Sequence, residues 1–146
     1  MKKLASACST KNIEEILAMP DVKEREDVYY EQEKLFLEML KKVIKTDGNV
    51  IVADLRGIET IHAGNRFLMY TMYPEQNISV WIVDGKNKQN CAITVGYSII
   101  NRSATVDVGS MLLKYGGGGH TSVGTCQVPY NDADKAIADI ISQCKA

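Results

Sequence analysis

Four consecutive glycines at positions 116–119 constrain the fold of this chain more than any other feature of its 146 residues. Glycine loses more backbone freedom on folding than any other residue, so an ordered run of four opposes folding unless the structure requires it. A helix C-cap followed by a turn explains one such glycine well and four poorly. A backbone that turns consecutive N–H groups toward an anion explains the whole run, with His120 as an added donor. The residues alone leave both interpretations open.

Two arginines are further candidates for binding an anion. Arg102 follows an apolar run that ends near residue 95, and a guanidinium at a strand end can hold a phosphate in a bidentate fork. Arg66 stands at a predicted helix start, where backbone N–H groups also favour an anion. Either arginine can equally be an ordinary exposed side chain, and the sequence leaves that choice open.

The charge balance excludes a strong long-range attraction to polyanions, since 17 basic residues face 18 acidic ones. Any phosphate or nucleic acid must therefore bind in a local pocket. The four cysteines lack the close spacing of a zinc or redox motif, so free thiols in a cytoplasmic protein are expected. The N-terminus does not resemble a signal peptide, and no apolar stretch is long enough to span a membrane.

Apolar periodicity predicts an α/β fold, with a mixed β-sheet flanked by helices and preceded by an N-terminal helical connector. Residues 1–47 are interpreted as that connector, with a short helix that stops near Pro20 and a longer amphipathic helix after it. Residues 48–146 are interpreted as the α/β domain. Polar residues 84–90 predict the loop of a β-hairpin. Strands are predicted at residues 49–55, 78–83, 91–95 and 124–128, and helices at residues 63–73, at residues 106–115 and from residue 131 onward.

The sequence contains no recognisable catalytic constellation. A two-metal hydrolase needs several Asp and His side chains that converge on the ions, and this chain has 2 histidines, His62 and His120. Cys126 is close to His120 in sequence, but nothing supplies a third member or an oxyanion hole. The sequence therefore predicts a binding domain without catalytic residues or metal ligands.

The segment VGYSIINRSATVDVGSMLLKYGGGGHTSVGTCQV, at residues 95–128, resembles the C-terminal DHH-associated domain of DHH-family phosphoesterases. Within that family it is similar to the exopolyphosphatase-related or nanoRNase-like branch, as is GNRFLMYTMYPEQN at residues 64–77. The resemblance covers roughly residues 49–143, and the helical segment before it is similar to the connector between the two domains of full-length members. Members often have Ala-Ala-Gly after the histidine, where this chain has Ser-Val-Gly at residues 122–124.

The resemblance implies a division of roles between two domains. In the family, an N-terminal domain carries the Asp-His-His motif with its manganese ligands and performs hydrolysis. The C-terminal domain holds the phosphate and nucleotide portion of the substrate. Carried over by position, the substrate-binding residues are Arg102, Gly117, Gly118, Gly119 and His120, with Asn101 and Arg66 as further candidates.

The expected function is recognition of a phosphate-containing ligand, namely a short oligonucleotide, a nucleotide or polyphosphate. Because nothing matches the Asp-His-His domain, the chain by itself is expected to be inactive, with manganese only in the missing catalytic domain. A truncation, one product of a split gene and a free-standing domain all fit this pattern. The alternative is a non-catalytic interaction or regulatory protein, which homodimerises or pairs with a separate catalytic subunit through its apolar helix face and an exposed part of its sheet.

Overall fold

Six segments of the chain form one mixed β-sheet in a computed structural model that describes residues 2–145. The strands are β1 (Ile44–Asp47), β2 (Val50–Asp54), β3 (Ile78–Asp84), β4 (Asn90–Tyr97), β5 (Gly118–His120) and β6 (Val123–Pro129). Their order across the sheet is β1-β2-β3-β4-β6-β5. β2 and β3 are parallel, and the other neighbouring pairs are antiparallel. The predicted α/β fold class is therefore confirmed.

Helices pack on both faces of this sheet. Before β1 the chain forms α1 (Lys2–Cys8), α2 (Ile13–Leu17) and α3 (Pro20–Val43), and later it forms α4 (Leu68–Met72), α5 (Val108–Leu113) and α6 (Ala133–Cys144). α3 begins at a proline, whose fixed φ suits the first helical turn. Among the described residues, no helix combines the length and the apolar character that crossing a bilayer requires.

The first face of the sheet packs against α5 and α6. Successive side chains of a strand point to opposite faces, and alternate residues of β3 and β4, such as Ile82 and Ile93, are fully buried here. Leu112 of α5 and Ile140 of α6 cover them, each with no exposed surface. This face therefore forms the larger part of the hydrophobic core.

The second face is covered only over β1, β2 and β3. Its buried cluster joins Ile51 and Trp81 of the sheet to Leu40 of α3 and to Met69 of α4. The Phe36 ring of α3 stacks on Trp81 with centroids 6.3 Å apart. The side chains of β4 and β6 that point to this face lie outside the cluster, so helices cover about half of it.

The strands predicted at residues 49–55, 78–83, 91–95 and 124–128 are confirmed, as is the hairpin formed by β3 and β4. Its loop contains a short 3-10 turn at Lys86–Lys88, where Asn87 and Lys88 have φ of 55° and 54°. The predicted final helix is also confirmed, since α6 follows a 3-10 turn at Tyr130–Asp132.

The helical connector ends earlier than its sequence indicated. The boundary at residue 47 stays a prediction, but Ile44–Asp47 is a strand rather than a helix, because it pairs with β2. Gly48, with φ +61°, makes the tight turn between the two strands. The segment has one buried apolar residue, Ile44, and its pattern therefore does not stand out in the sequence.

The helix predicted at residues 63–73 is wrong in its first half, since only Leu68–Met72 is helical. Gly64 lies against the Phe36 ring so closely that a Cβ atom would overlap it. The Asn65 side chain accepts a hydrogen bond from the Phe67 N–H at 3.0 Å, which holds a turn instead of a helix. The helix predicted at residues 106–115 is likewise shorter, because Asp107 caps α5 through the Ser110 N–H at 3.0 Å.

Candidate functional site

The glycine run connects α5 to β5, and part of it is strand rather than loop. Gly116 has φ +71°, the left-handed conformation that ends many helices. Gly119 then pairs with Gly124 of β6, and a Cβ atom on Gly119 would overlap the carbonyl oxygen of Val123. On Gly117, a Cβ atom would overlap the backbone of β6 in the same way. Close packing of the backbone therefore requires two of the four glycines.

Two glycines outside the run extend this close packing to α5. A Cβ atom on Gly109 would lie 2.8 Å from the carbonyl oxygen of Gly119, and one on Gly124 would lie 2.7 Å from that of Gly118. Beside this contact lies a polar pocket of about 370 Å³ between α5 and β5, with His120 in its lining. The packing fixes β5 against its neighbours and so fixes the backbone of His120, whose side chain is exposed.

Beyond the helical cover, the second face of the sheet is open to solvent. Directly paired residues of neighbouring strands point to the same face, so two rows can be followed from β3 to β5. The first row is Trp81, Thr94, Thr125 and Gly118, and the second is Ser79, Gly96, Val123 and His120. We call these two rows the open face. Three strand spacings separate β3 from β5, so the open face is about 14 Å wide.

Arg66 stands beside the β3 end of the open face. Its guanidinium carbon is 5.9 Å from the centroid of the Trp81 ring, at the distance of a cation–π contact. Residues 64–67, α4 and the strands enclose a pocket of about 360 Å³, which we call the Arg66 pocket. Phe67 is 52% exposed at its rim, and its ring stacks on Tyr70 at 6.2 Å. The Arg66 pocket thus opens onto one end of the open face.

Hydroxyl groups lie on the floor of the Arg66 pocket and on the neighbouring sheet. The Tyr70 Oη and the Ser79 Oγ are 2.7 Å apart, and both lie within hydrogen-bonding distance of the Gly96 carbonyl oxygen, at 3.2 and 3.3 Å. Burial raises the pKa of the Tyr70 phenol, so this group stays protonated at neutral pH. On the sheet, the Thr94 and Thr125 hydroxyl oxygens are 2.6 Å apart.

Arg102 and Asn101 lie in the loop that follows β4, at the same end of the sheet as His120. Asn101 holds this loop in place, because its Nδ2 donates to the Glu75 carbonyl at 2.8 Å and its Oδ1 accepts from the Ser103 hydroxyl at 2.7 Å. Arg102 is exposed, and its Nε donates to the Ile99 carbonyl at 3.2 Å. Among residues 2–145, nothing else binds the Arg102 guanidinium, which leaves its terminal N–H groups for a ligand.

The structure thus places Arg66 beside β3 and His120 on β5, at opposite sides of the open face. Arg102 lies in the loop after β4, beyond the same ends of the strands as His120. Gly117, Gly118 and Gly119 contribute backbone to the β5 edge, while Asn101 holds a loop. Their roles in substrate binding stay predictions. Sequence reasoning missed Phe67, Tyr70, Trp81, Thr94 and Thr125. A signal for Thr94 was present, since Ala92, Thr94 and Gly96 alternate with fully buried residues along β4.

The donor groups of the described residues do not form a metal centre. Within the part of the chain that the structure describes, no three His, Cys, Asp or Glu side chains converge in a way that could hold a metal ion. Residues 2–145 therefore offer no fitting ligand set for the manganese that the resemblance implies for the family's catalytic domain.

Comparison with known proteins gives no matching family model and no matching curated protein. Among solved structures, the pGpG-specific phosphodiesterase PggH from Vibrio cholerae is 43% identical to this chain, with a TM-score of 0.92. The match covers 98% of this chain and 49% of that protein, so the chain spans about half the length of this relative.

Two more distant structures share the fold. An exopolyphosphatase-related protein from Bacteroides fragilis is 14% identical, with a TM-score of 0.56 over 91% of this chain and 42% of that one. The DHH domain of a protein described as a member of a family of ribosomal proteins is 15% identical, with a TM-score of 0.53 over 87% of this chain and 32% of that one. The two distant structures share the fold alone, and the 43% identical match shows that this chain belongs to the DHH-associated domains of the DHH-family phosphoesterases.

Proposed function

We propose that this chain is the substrate-binding half of a phosphodiesterase that acts on short oligonucleotides, and that the open face holds the substrate. The observation that carries the proposal is a half-uncovered sheet face with Arg66 beside it, together with Arg102 exposed in the loop that follows β4, and neither cation has a carboxylate partner among the described residues. Neither Arg66 nor Arg102 forms an ion pair within the described residues, whereas Arg25 and Arg56 both do. Unpaired guanidinium groups beside an uncovered surface are suited to bind phosphate.

The width of the open face favours an extended ligand over a single phosphate. Arg66 and His120 stand at opposite ends of a surface about 14 Å wide, so one phosphate group cannot contact both. A linear dinucleotide carries phosphates and bases along its length and can. The relative that is 43% identical is named as specific for pGpG, which is a ligand of this class. We therefore propose a linear dinucleotide with a 5′ phosphate as the substrate.

The proposed role of this chain is to bind and orient the substrate. Arg102 and His120 hold phosphate oxygens by charge-assisted hydrogen bonds, and the close packing of β5 keeps the His120 backbone in a fixed position. Holding the substrate in one geometry lowers the entropic barrier of a reaction performed elsewhere. The hydrolytic groups belong to a separate catalytic domain, and by itself the chain binds without turnover.

Calorimetric titration of the purified chain with pGpG, a mononucleotide and polyphosphate tests this proposal. We expect binding to pGpG without added metal. In His120→Ala and Arg102→Ala we expect affinity to fall by roughly 10- to 100-fold, because each loses a hydrogen bond involving a charged phosphate, worth about 1.5–3 kcal/mol. Arg25→Ala is the matched control, since it removes an exposed arginine of α3 that is remote from the open face.

Two outcomes would contradict the proposal in different ways. If the unaltered chain binds none of the three ligands, the proposed function is wrong. If it binds pGpG and a variant binds equally well, the altered residue is wrongly assigned. Thermal unfolding of each variant shows whether a loss of affinity reflects a loss of stability, which is not expected for exposed side chains.

A second function is favoured by a separate surface on the N-terminal helices. Apolar side chains of α2 and α3 are exposed over a continuous part of the sequence, namely Ile13, Leu17, Val28, Tyr29 and Tyr30. Exposed apolar groups in this number are typical of a contact surface. We propose that a separate catalytic domain or a second copy of the chain covers them. Light scattering of the purified chain distinguishes a dimer from a monomer, and a monomer would leave the catalytic domain as the partner.

A further inference from the structure

A segment without secondary structure brings Arg66 to the open face. Residues 57–67, which we call the strap, lie between the end of β2 and the start of α4. Every residue of the strap is exposed except His62, which is half-buried. A groove of about 280 Å³ lies between the strap and α3, with His62 and Met39 in its lining. The strap therefore rests on α3 without being buried in the core.

Few hydrogen bonds hold the strap. At its start, the Gly57 N–H donates to the Asp84 carboxylate at 2.8 Å. In the part of the chain that the structure describes, the backbone groups of residues 59–64 form no hydrogen bond with another backbone group. An exposed segment whose backbone is unpaired has many accessible conformations. The position of the strap therefore depends on contacts with side chains.

Gln32 of α3 is the side chain that holds this stretch. Its Oε1 is 3.3 Å from the Ala63 nitrogen and 3.4 Å from Nδ1 of His62. A backbone N–H can only donate, so the amide atom that faces it is the oxygen, which can only accept. The His62 contact is therefore a hydrogen bond when Nδ1 carries the proton. Both distances are long, so each bond is weak, and the two act together on neighbouring residues.

A second contact from α3 lies one helical turn further on. Phe36 follows Gln32 by four residues, so both side chains lie on one face of α3. Gly64 packs against the Phe36 ring so closely that a Cβ atom there would overlap it. The same ring stacks on Trp81, and the Arg66 guanidinium carbon stands 5.9 Å from the Trp81 centroid. α3 thus holds the strap at two neighbouring points directly before Arg66.

An arginine on a loosely held segment binds an anion less tightly than one that is already in place. A ligand that contacts Arg66 has to immobilise the strap unless the fold has done so, and the lost conformational freedom opposes binding. Contacts from α3 remove part of this cost before the ligand arrives.

We propose that Gln32 is a positioning residue for ligand binding, which holds the strap so that Arg66 stands beside the open face in the unliganded chain. This inference rests on the proposed function, because it concerns the same ligand and the same surface. It assigns α3 a part in binding, although α3 contributes no residue to the open face.

Two substitutions separate the acceptor of Gln32 from the bulk of its side chain. Gln32→Glu keeps an oxygen where the amide oxygen stands, whereas Gln32→Met keeps the length of the side chain and removes the acceptor. All three residues have similar helix propensities, so α3 should be unaffected. In calorimetric titrations with pGpG, we expect the affinity to fall by about three- to tenfold in Gln32→Met and to stay within about twofold in Gln32→Glu.

The fluorescence of Trp81, the only tryptophan of the chain, reports the position of Arg66 without any ligand. Arg66→Ala removes the cation beside the ring and should shift the emission of the unliganded protein. Gln32→Met should shift it in the same direction, because a released strap takes Arg66 away from Trp81, and Gln32→Glu should leave it unchanged. Thermal unfolding should give the same midpoint for both Gln32 variants, whereas a general loss of structure would lower it.

A double variant that combines Gln32→Met with Arg66→Ala shows whether Gln32 acts through Arg66. Arg66→Ala should weaken pGpG binding by itself, and the added Gln32→Met should then cause no further loss. Gln89→Met is the matched control, since it is the same substitution at an exposed glutamine of the loop between β3 and β4. It should leave both the affinity and the emission unchanged.

The outcomes that contradict this proposal differ from a failure of the proposed function. If Gln32→Met binds pGpG as tightly as the unaltered chain, Gln32 has no positioning role, and an equal loss in Gln32→Glu would overturn that role as well. A further loss in the double variant would also overturn it, because Gln32 would then act on binding by another route. If the unaltered chain binds no pGpG, the proposed function fails and the role of Gln32 in binding fails with it.

Discussion

The second face of the sheet has two halves that share the same strand pleat and differ in what covers them. Over β1, β2 and β3, α3 and α4 bury a cluster in which Leu40 has no exposed surface. Over β4, β6 and β5, the residues Val123, Thr125 and His120 are exposed. The hydrogen-bonded sheet continues from one half to the other, so the uncovered half is held in place by its covered neighbour. The uncovered half is therefore a surface that a ligand or another domain can contact.

The largest expected contrast between the halves is in stability. Leu40→Ala should lower the free energy of unfolding by about 2–5 kcal/mol, because it leaves a cavity in the covered half. Val123→Ala should change it by less than about 0.5 kcal/mol, because this side chain is exposed on the open face. Urea denaturation followed by circular dichroism measures both. Equal losses would mean that something covers the open face in solution.

Two adjacent glycines sharpen the comparison at the edge of the open face. Gly119→Ala should destabilise the protein by about 1–3 kcal/mol, because its Cβ overlaps the carbonyl of Val123 and forces β5 to move. It should also weaken nucleotide binding, since His120 moves with the strand. Gly118→Ala is the matched control, because its Cβ would meet only a Leu113 methyl group, at 3.9 Å. If both variants behave alike, close packing does not explain the glycine run.

The cysteines allow a parallel comparison of chemical reactivity, between the core on the first face of the sheet and the exposed helix α1. Burial raises the pKa of Cys126 and Cys144 to about 11, so at pH 8 about one thiol in a thousand is the reactive thiolate. Cys8 is exposed on α1, and it should react with a thiol reagent in the native state. We expect one rapid equivalent per chain and three more only after unfolding. Cys8→Ser should abolish the rapid reaction, and rapid labelling that persists in this variant would show that the core on the first face of the sheet opens.

The raised pKa of these two thiols should make the free energy of unfolding fall at alkaline pH. Cys126 and Cys144 titrate near pH 11 in the folded chain and near 9 when unfolded, so their contribution is complete below pH 9 and declines as the pH rises from 9 to 11. Urea midpoints measured from pH 8 to pH 10.5 should therefore fall. A flat profile would mean that these thiols are accessible to water in the folded protein.

The sequence pattern was sufficient to predict the strands whose side chains are buried in the core. β3 is an almost continuous run of buried residues, and β4 alternates between fully buried and partly exposed residues, so both patterns can be recognised in the sequence. β1 has one buried residue and forms because β2 offers it a partner, which no local pattern records. The sequence did not predict β5 for a different reason, since glycine is unfavourable in strands. Glycine is required here because the β5 backbone lies so close to β6 that a Cβ atom would overlap it.

The candidate site was predictable in part for the same physical reason. The cations and His120 are single residues whose chemistry can be recognised one at a time. Thr94, Thr125 and Trp81 come from three different strands and become a surface only through the register of the sheet. Phe67 reaches the rim in a turn that the Asn65 side chain holds, next to a contact between Gly64 and Phe36 of the distant helix α3. Contacts between distant parts of the chain carry this information, and periodicity does not report them.

Helix α3 acts as a spacer of defined length and angle. Its buried residues, Phe36, Met39 and Leu40, all lie in the last turns, while the preceding part from Pro20 carries α2 at its far end. With a rise of 1.5 Å per residue, about 24 Å of helix stands between the sheet and that end. Deleting one residue from this stretch would turn whatever is attached there by about 100° around the helix axis. The number of residues in α3 therefore sets the direction in which α2 and anything bound to it point, in addition to the chemistry of those residues.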